Sequence, residues 1–205
     1  MTLLNTTTNY YDAIKNRRSI YGLSKEEVIS DERIQEIVEH AVKYVPSAFN
    51  SQTARVVVLL GDNHTKFWGI TTETLKAMVA EDKFASTQEK MDSFNAGYGT
   101  VLFFEDMSII EGLQTQFPSY ADNFPVWSLQ SSGMLQYTIW TALESEGYGA
   151  SLQHYNPLID EEVKTTWNLP SSWKLLAQMP FGKPTAEPNP NKEFQPVENR
   201  VKVIK

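Results

Sequence analysis

The chain has 205 residues, 41% hydrophobic and 21% charged, which suits one ordinary globular core and excludes a disordered chain. A formal net charge of −7, with no basic cluster beyond Lys15-Asn16-Arg17-Arg18, argues against nucleic acid, whose binders carry a basic face to displace counterions. The absence of cysteine excludes disulfides, thiolate metal sites, Fe–S clusters and Cys nucleophiles.

Residues 1–11 read as a polar arm without the basic start or apolar stretch of a secretion signal. No apolar run approaches the ~20 residues that span a bilayer, so the expectation is a cytoplasmic protein with no membrane contact. Asp12 to Arg18 predicts a short helix with Ala13 and Ile14 turned inward. Ser24-Lys25-Glu26-Glu27 fits either a capping box or a loop turn. From Asp31 to Val45, apolar residues at 34, 37, 38, 41, 42 and 45 follow the helical repeat, and Pro46 ends it. Arg55 to Leu60 is a β-branched run closed by Gly61-Asp62-Asn63, which predicts a buried strand and a turn. A helix is expected over Lys66 to Val79, then a polar stretch, then a central strand over Thr100 to Phe104. Glu105 to Pro125 has no clean period. Trp127 to Glu146 predicts a long buried helix with Met134, Leu135, Thr138, Ile139, Ala142 and Leu143 on one side, stopped by Gly147. Trp173 to Met179 is a third strand. Beyond Gly182 four prolines keep the tail extended, and its terminal Val201-Lys202-Val203-Ile204 suits pairing with a sheet edge. The mixture points to an α+β sandwich in a single domain, 1–205, with an N-terminal arm (1–11) and an extended tail (183–205).

Several short segments have donor chemistry. Arg17 and Arg18 either complement helix C-terminal carbonyls or clamp an anion, since guanidinium forks match phosphate oxygens. Ser19 adds a hydroxyl. Pro46-Ser47-Ala48-Phe49-Asn50-Ser51-Gln52 is either a plain helix exit or a loop whose carboxamides at Asn50 and Gln52 face a planar heterocycle. Gly147-Tyr148-Gly149 lacks the third glycine of a dinucleotide fingerprint, where Leu152 stands, and follows a helix instead of a strand. His40, His64 and His154 show no metal spacing, and Glu144 and Glu146 read as solvated surface. There is no Gly-x-Ser-x-Gly elbow and no phosphate-binding Gly-x4-Gly-Lys loop.

In that order, Asn16-Arg17-Arg18-Ser19, Pro46 to Gln52, Gly149-Ala150-Ser151-Leu152-Gln153-His154 and a late Lys192 resemble the nitroreductase family, from about Asp12 to Val201. The resemblance is nearest to its nitroreductase-like, or fatty acid repression mutant-like, branch. It implies a mainly antiparallel central sheet flanked by helices, with the C-terminal tail exchanged in a homodimer. It also implies tightly bound FMN held by Arg17, Arg18, Ser19, Ser47, Ala48, Asn50, Gln52, Gln153, His154 and Lys192, with Lys183 and Arg200 as rivals of Lys192 at the phosphate. Where relatives carry a Lys near the flavin N1–O2 edge this chain has Tyr21, and Lys90 is a substitute. Relatives also continue the carboxamide loop with Pro-Trp, where this chain has Thr53-Ala54. The activity implied is ping-pong hydride transfer from NADH or NADPH to small aromatic acceptors, nitroaromatics and quinones. The flavin carries the chemistry, with no catalytic side chain and no metal. Two alternatives are a flavin-binding regulatory or stress-response protein with little turnover, and a flavin-free interaction protein on the same fold.

Overall fold

A five-stranded antiparallel sheet lies at the centre of the computed structural model, which describes residues 9–205. Three strands form most of it: β2 (Ala54–Leu60), β3 (Gly99–Asp106) and β5 (Trp173–Pro184), with β3 between the other two. β2 pairs with β3 from Ala54↔Glu105 to Leu60↔Gly99, and β3 with β5 from Gly99↔Phe181 to Asp106↔Trp173. Short strands β1 (Leu23–Ser24) and β4 (Gly149–Ala150) cover the far edge of β5, at Leu23↔Pro184 and Gly149↔Gly182.

The helices are α1 (Tyr10–Asn16), α2 (Asp31–Tyr44), α3 (Gly61–Lys76), α4 (Phe84–Asn95), α5 (Met107–Gln116), α6 (Phe124–Ser145) and α7 (Asp160–Thr166). Because side chains alternate along a strand, β3 serves two cores. Val101 and Phe103 meet Ile34, Ile37, Val38 and Ala41 of α2 and Leu135, Ile139 and Leu143 of α6. Leu102 and Phe104 meet Phe67 and Trp68 of α3, Met91 and Phe94 of α4, and Val163 of α7. Every residue of β3 is buried in consequence. Ser30 caps α2, and Pro46 holds Val45 at an extended ψ of 126° where the helix stops. Gly147 closes the exit from α6 at φ 98°, a left-handed value that a side chain would strain.

The expected sandwich is present, with local corrections. Residues 1–8 of the arm lie outside the described residues, and Asn9 already caps α1, which starts two residues earlier than expected and leaves Arg17 and Arg18 beyond its end. Ala13 is buried but Ile14 is exposed, because so short a helix turns only one position inward. Ser24 starts no helix; it lies in β1. Gly61-Asp62-Asn63 forms the first turn of α3, and the polar stretch after Val79 contains α4. Met134 is exposed, unlike its neighbour Leu135. Glu146 is not solvated surface, since its carboxylate accepts from Arg33 at 2.8 and 3.1 Å. After Pro184 the described residues form no further strand. No described helix is long and apolar enough to cross a membrane, and among the described residues no group of three or more His, Cys, Asp or Glu could hold a metal.

Candidate functional site

The first part of the site is built where α1 ends. The Arg17 N–H closes that helix on the Ala13 carbonyl, and its guanidinium lies 4.2 Å from the Trp140 ring centroid and 5.7 Å from that of Tyr137, both on α6. Arg17 Nε is buried without a hydrogen-bond partner among the described residues. Arg18 Nη2 donates to the Asn189 carbonyl at 2.7 Å, so the tail folds back over it. Ser19 is exposed and bridges to Ala150, and the Ile20 N–H donates to the Ala150 carbonyl at 2.9 Å. Gly149 permits this close pass, since a Cβ there would lie 2.8 Å from Ile20 Cβ. A cavity of about 500 Å³ opens here, walled by Asn16, Arg18, Gly149 and the tail residues Ala186 and Pro188.

From Ala150 the chain runs on beside β5. Gln153 and Gln178 exchange backbone hydrogen bonds of 2.7 and 2.9 Å, and Gln153 Nε2 donates to Ser151 Oγ at 3.1 Å. Gln178, which the sequence did not single out, fixes the turn that follows: its Oε1 accepts from the Tyr155 N–H at 2.7 Å. His154 points to solvent.

The carboxamide loop has an unusual backbone. Phe49, Asn50 and Gln52 take φ values of 58°, 51° and 48°, sparsely populated by residues other than glycine and costly for an aromatic. Two contacts hold this course. The Gln52 N–H donates to Ser47 Oγ at 3.0 Å, and the Phe49 ring is clamped by Phe117, Phe124, Tyr120 and Trp127, with centroids 5.3 to 5.9 Å away. The Asn50 and Gln52 side chains are exposed beside it.

These parts do not converge within one chain. Phe49 touches Phe124 and Trp127 in the first turn of α6, whereas Arg17 touches Tyr137 and Trp140 near its end. At 1.5 Å per residue, Trp127 and Trp140 are separated by about 20 Å along the axis. Lys192 sits in the exposed tail with its ammonium over its own neighbour Phe194, at 5.1 Å. Lys183 is ion-paired with Glu26, and Arg200 is exposed. Lys90 lies on α4, on the sheet face opposite α6, and is not brought to either part. Tyr21 is exposed.

A buried polar group behind the loop belongs to no motif in the sequence. Glu105 is 1% exposed, and neither its carboxylate oxygens nor the buried Thr53 Oγ1 has a well-formed hydrogen bond among the described residues. Burial pushes the Glu105 carboxyl up to about 7, against the pull of Thr53 and Arg55. Arg55 is committed elsewhere: to Asp106 at 3.2 Å and to the Gln52 carbonyl at 2.8 Å. Asp106 is held below its ordinary range despite burial, by Ser108, Ser172 and Arg55. The available sequence signal was strand alternation, which puts Glu105 on the inward face with Val101 and Phe103.

Comparison with known proteins matches the nitroreductase family over residues 14–183, and the chain belongs to that family. It is 35% identical over 187 residues to the nitroreductase FRM2 of Saccharomyces cerevisiae, covering 90% of this chain and 93% of that one. Nitroreductase CinD from Lactococcus lactis, solved with chloramphenicol and with 4-nitrophenol, is 45% identical with a TM-score of 0.88, covering 96% of this chain and all of CinD. A nitroreductase of Desulfitobacterium hafniense with bound FMN shares the fold at 20% identity, with a TM-score of 0.69 over 99% of this chain and 100% of that one.

Proposed function

We propose that the chain is an FMN-dependent oxidoreductase that uses NADH or NADPH to reduce small nitroaromatic or quinone acceptors. The observation that carries this reading is the donor set at the end of α1: a buried, unpartnered Arg17 Nε next to Arg18 and an exposed Ser19 hydroxyl. Such a set suits a phosphate, because charge-assisted guanidinium bonds are short, strong and directional. FMN, when bound, supplies hydride transfer in both directions, which no side chain here provides.

In this reading Arg17, Arg18 and Ser19 hold the phosphate, and Gln153, whose backbone is paired with Gln178, offers its carboxamide to the ring edge. Ser47, Ala48, Asn50 and Gln52 orient the heterocycle through donors fixed in advance. The position of His154 after Gln153 suits a cofactor contact, and Lys192, three residues beyond the Asn189 carbonyl that Arg18 holds, is the tail's candidate for the phosphate. Membership of the family and the small aromatics bound by CinD support this acceptor class.

The separation of the loop from the arginines by about 20 Å supports assembly as a homodimer, with the loop of one copy completing the site of the other. Exposed apolar residues are placed for such an interface: Leu129 and Met134 on α6, Val42 and Tyr44 at the end of α2, and Phe194, Val201 and Ile204 in the tail. A tail exchanged between copies would cover both its own apolar residues and the partner's helices.

Titration of the flavin-free protein with FMN and with riboflavin tests the reading. FMN should bind at least tenfold more tightly, since riboflavin lacks the phosphate; equal affinities would rule out the arginine site.

A further inference from the structure

Of the three left-handed residues in the carboxamide loop, Asn50 is a type that takes this conformation readily, whereas Phe49 and Gln52 are not. Gln52 is held by polar bonds: its N–H donates to Ser47 Oγ at 3.0 Å, and its carbonyl accepts from Arg55 at 2.8 Å. Phe49 is held by its ring. That ring stacks on Trp127 at an interplanar angle of 20° and meets Phe124 at 67° with centroids 5.4 Å apart. Phe117 and Tyr120, from the turn between α5 and α6, close round it at 5.3 and 5.9 Å. The receiving rings brace one another, since Phe124 lies 5.4 Å from Trp127 and 6.1 Å from Phe117.

We propose that Phe49 is a positioning residue: its ring, latched on the first turn of α6, holds the strained backbone from Phe49 to Gln52 and so sets where the Asn50 and Gln52 carboxamides point. The physical basis is a balance between one unfavourable backbone conformation and several favourable ring contacts. A left-handed aromatic residue persists only where its surroundings over-determine it. Each offset or edge-on ring pair contributes on the same scale as that strain, and Phe49 makes four. The contacts therefore outweigh the strain.

The latch acts on the next residues through short backbone bonds. The Asn50 N–H donates to the Ser47 carbonyl at 3.0 Å, and the Ser51 N–H to the Ala48 carbonyl at 3.1 Å. Both bonds close across Phe49, so they form while its φ of 58° turns the chain back and break when it relaxes. The ring is 53% exposed, so it can be replaced without opening the core.

The consequence for flavin rests on the function proposed above; the latch itself is read by amide hydrogen exchange on the full chain. Phe49→Gly removes the ring and also relieves the strain, because glycine takes a positive φ without cost. Its Asn50, Ser51 and Gln52 amides should exchange about tenfold faster than in the wild type, as local opening becomes more frequent. Phe49→Tyr, which keeps the ring, should stay within about twofold of the wild type, and Trp127→Leu should loosen the same three amides from the other side. The Leu102 and Phe103 amides of β3 should not change in either Phe49 variant. A loop equally or better protected in Phe49→Gly would overturn the proposal, since backbone preference would then be enough to hold it. A loop unmoved by Trp127→Leu, or parallel loss in β3, would overturn it too. Titration of each protein with FMN and with riboflavin separates the latch from the flavin reading. Phe49→Gly should weaken both flavins by the same factor, because the ring end is misplaced and the phosphate end kept, and Phe49→Tyr should restore both. A loosened loop with both affinities unchanged upholds the latch and removes this loop from the flavin site.

Discussion

Replacing Glu105 by Gln should make the protein more stable at pH 8 and leave it nearly unchanged at pH 4. The carboxyl titrates at about 7 in the folded chain, against an ordinary value of 4.5. Above 4.5 the unfolded chain releases a proton that the folded chain still holds, so the stability present below 4.5 is lost as pH rises and is fully lost above 7. A difference of about 2.5 units, at 1.36 kcal/mol each, comes to about 3 kcal/mol. Gln has nearly the same shape and no charge, and so escapes this loss. For a chain of this length 3 kcal/mol corresponds to roughly 6–12 °C in Tm. Urea unfolding of wild type and Glu105→Gln at both pH values measures the difference directly. A variant equally or less stable at pH 8, or an offset identical at both pH values, would mean that Glu105 is already compensated in the folded state and carries no such cost.

Thr100 Oγ1 lies 2.9 Å from both Trp68 Nε1 and His64 Nδ1 in the α3 core; Thr100→Val strands both groups and should cost about 2–4 kcal/mol by denaturant unfolding. Burial depresses His64 to about 4, so the ring stays neutral at physiological pH and this cost should not change between pH 6 and pH 8. Arg17→Ala should weaken FMN binding by about 1.5–3 kcal/mol, the range for hydrogen bonds to charged groups, and fluorescence titration reads it. Deleting Phe194 to Lys205 should lower dimer stability and flavin content together, as followed by light scattering and the flavin-to-protein absorbance ratio; a monomer retaining stoichiometric FMN would contradict the shared site.

The elements that were legible in the sequence are those with one dominant period. α2 shows its buried face directly in Ile34, Ile37, Val38 and Ala41, and β2, β3 and β5 show as dense bulky runs. α4 and α7 stayed hidden because they bury little: Met91 and Phe94 in one, Val163 in the other. Glu105 to Pro125 had no period because it joins the end of β3, α5, a 3-10 turn and the start of α6, each with its own repeat. Met134 was misread because α6 is apolar around much of its circumference, so hydrophobicity alone could not say which side faces the sheet. In the site, residue types were legible and their distances were not. Whether Arg17 can meet Asn50 depends on where α6 sets its two ends, which no local motif encodes. The polar ties of Arg55 and Thr53 to Asp106 likewise arise where the start of β2 meets the end of β3.

An anaerobic absorbance experiment on the purified protein is the sharpest test of flavin-based turnover. The expected result is a yellow protein with about one FMN per chain, bleached by NADH or NADPH and recoloured by a nitroaromatic such as 4-nitrophenol or chloramphenicol. A colourless protein that takes up no FMN, or a flavin-loaded protein that neither nicotinamide reduces, would contradict it.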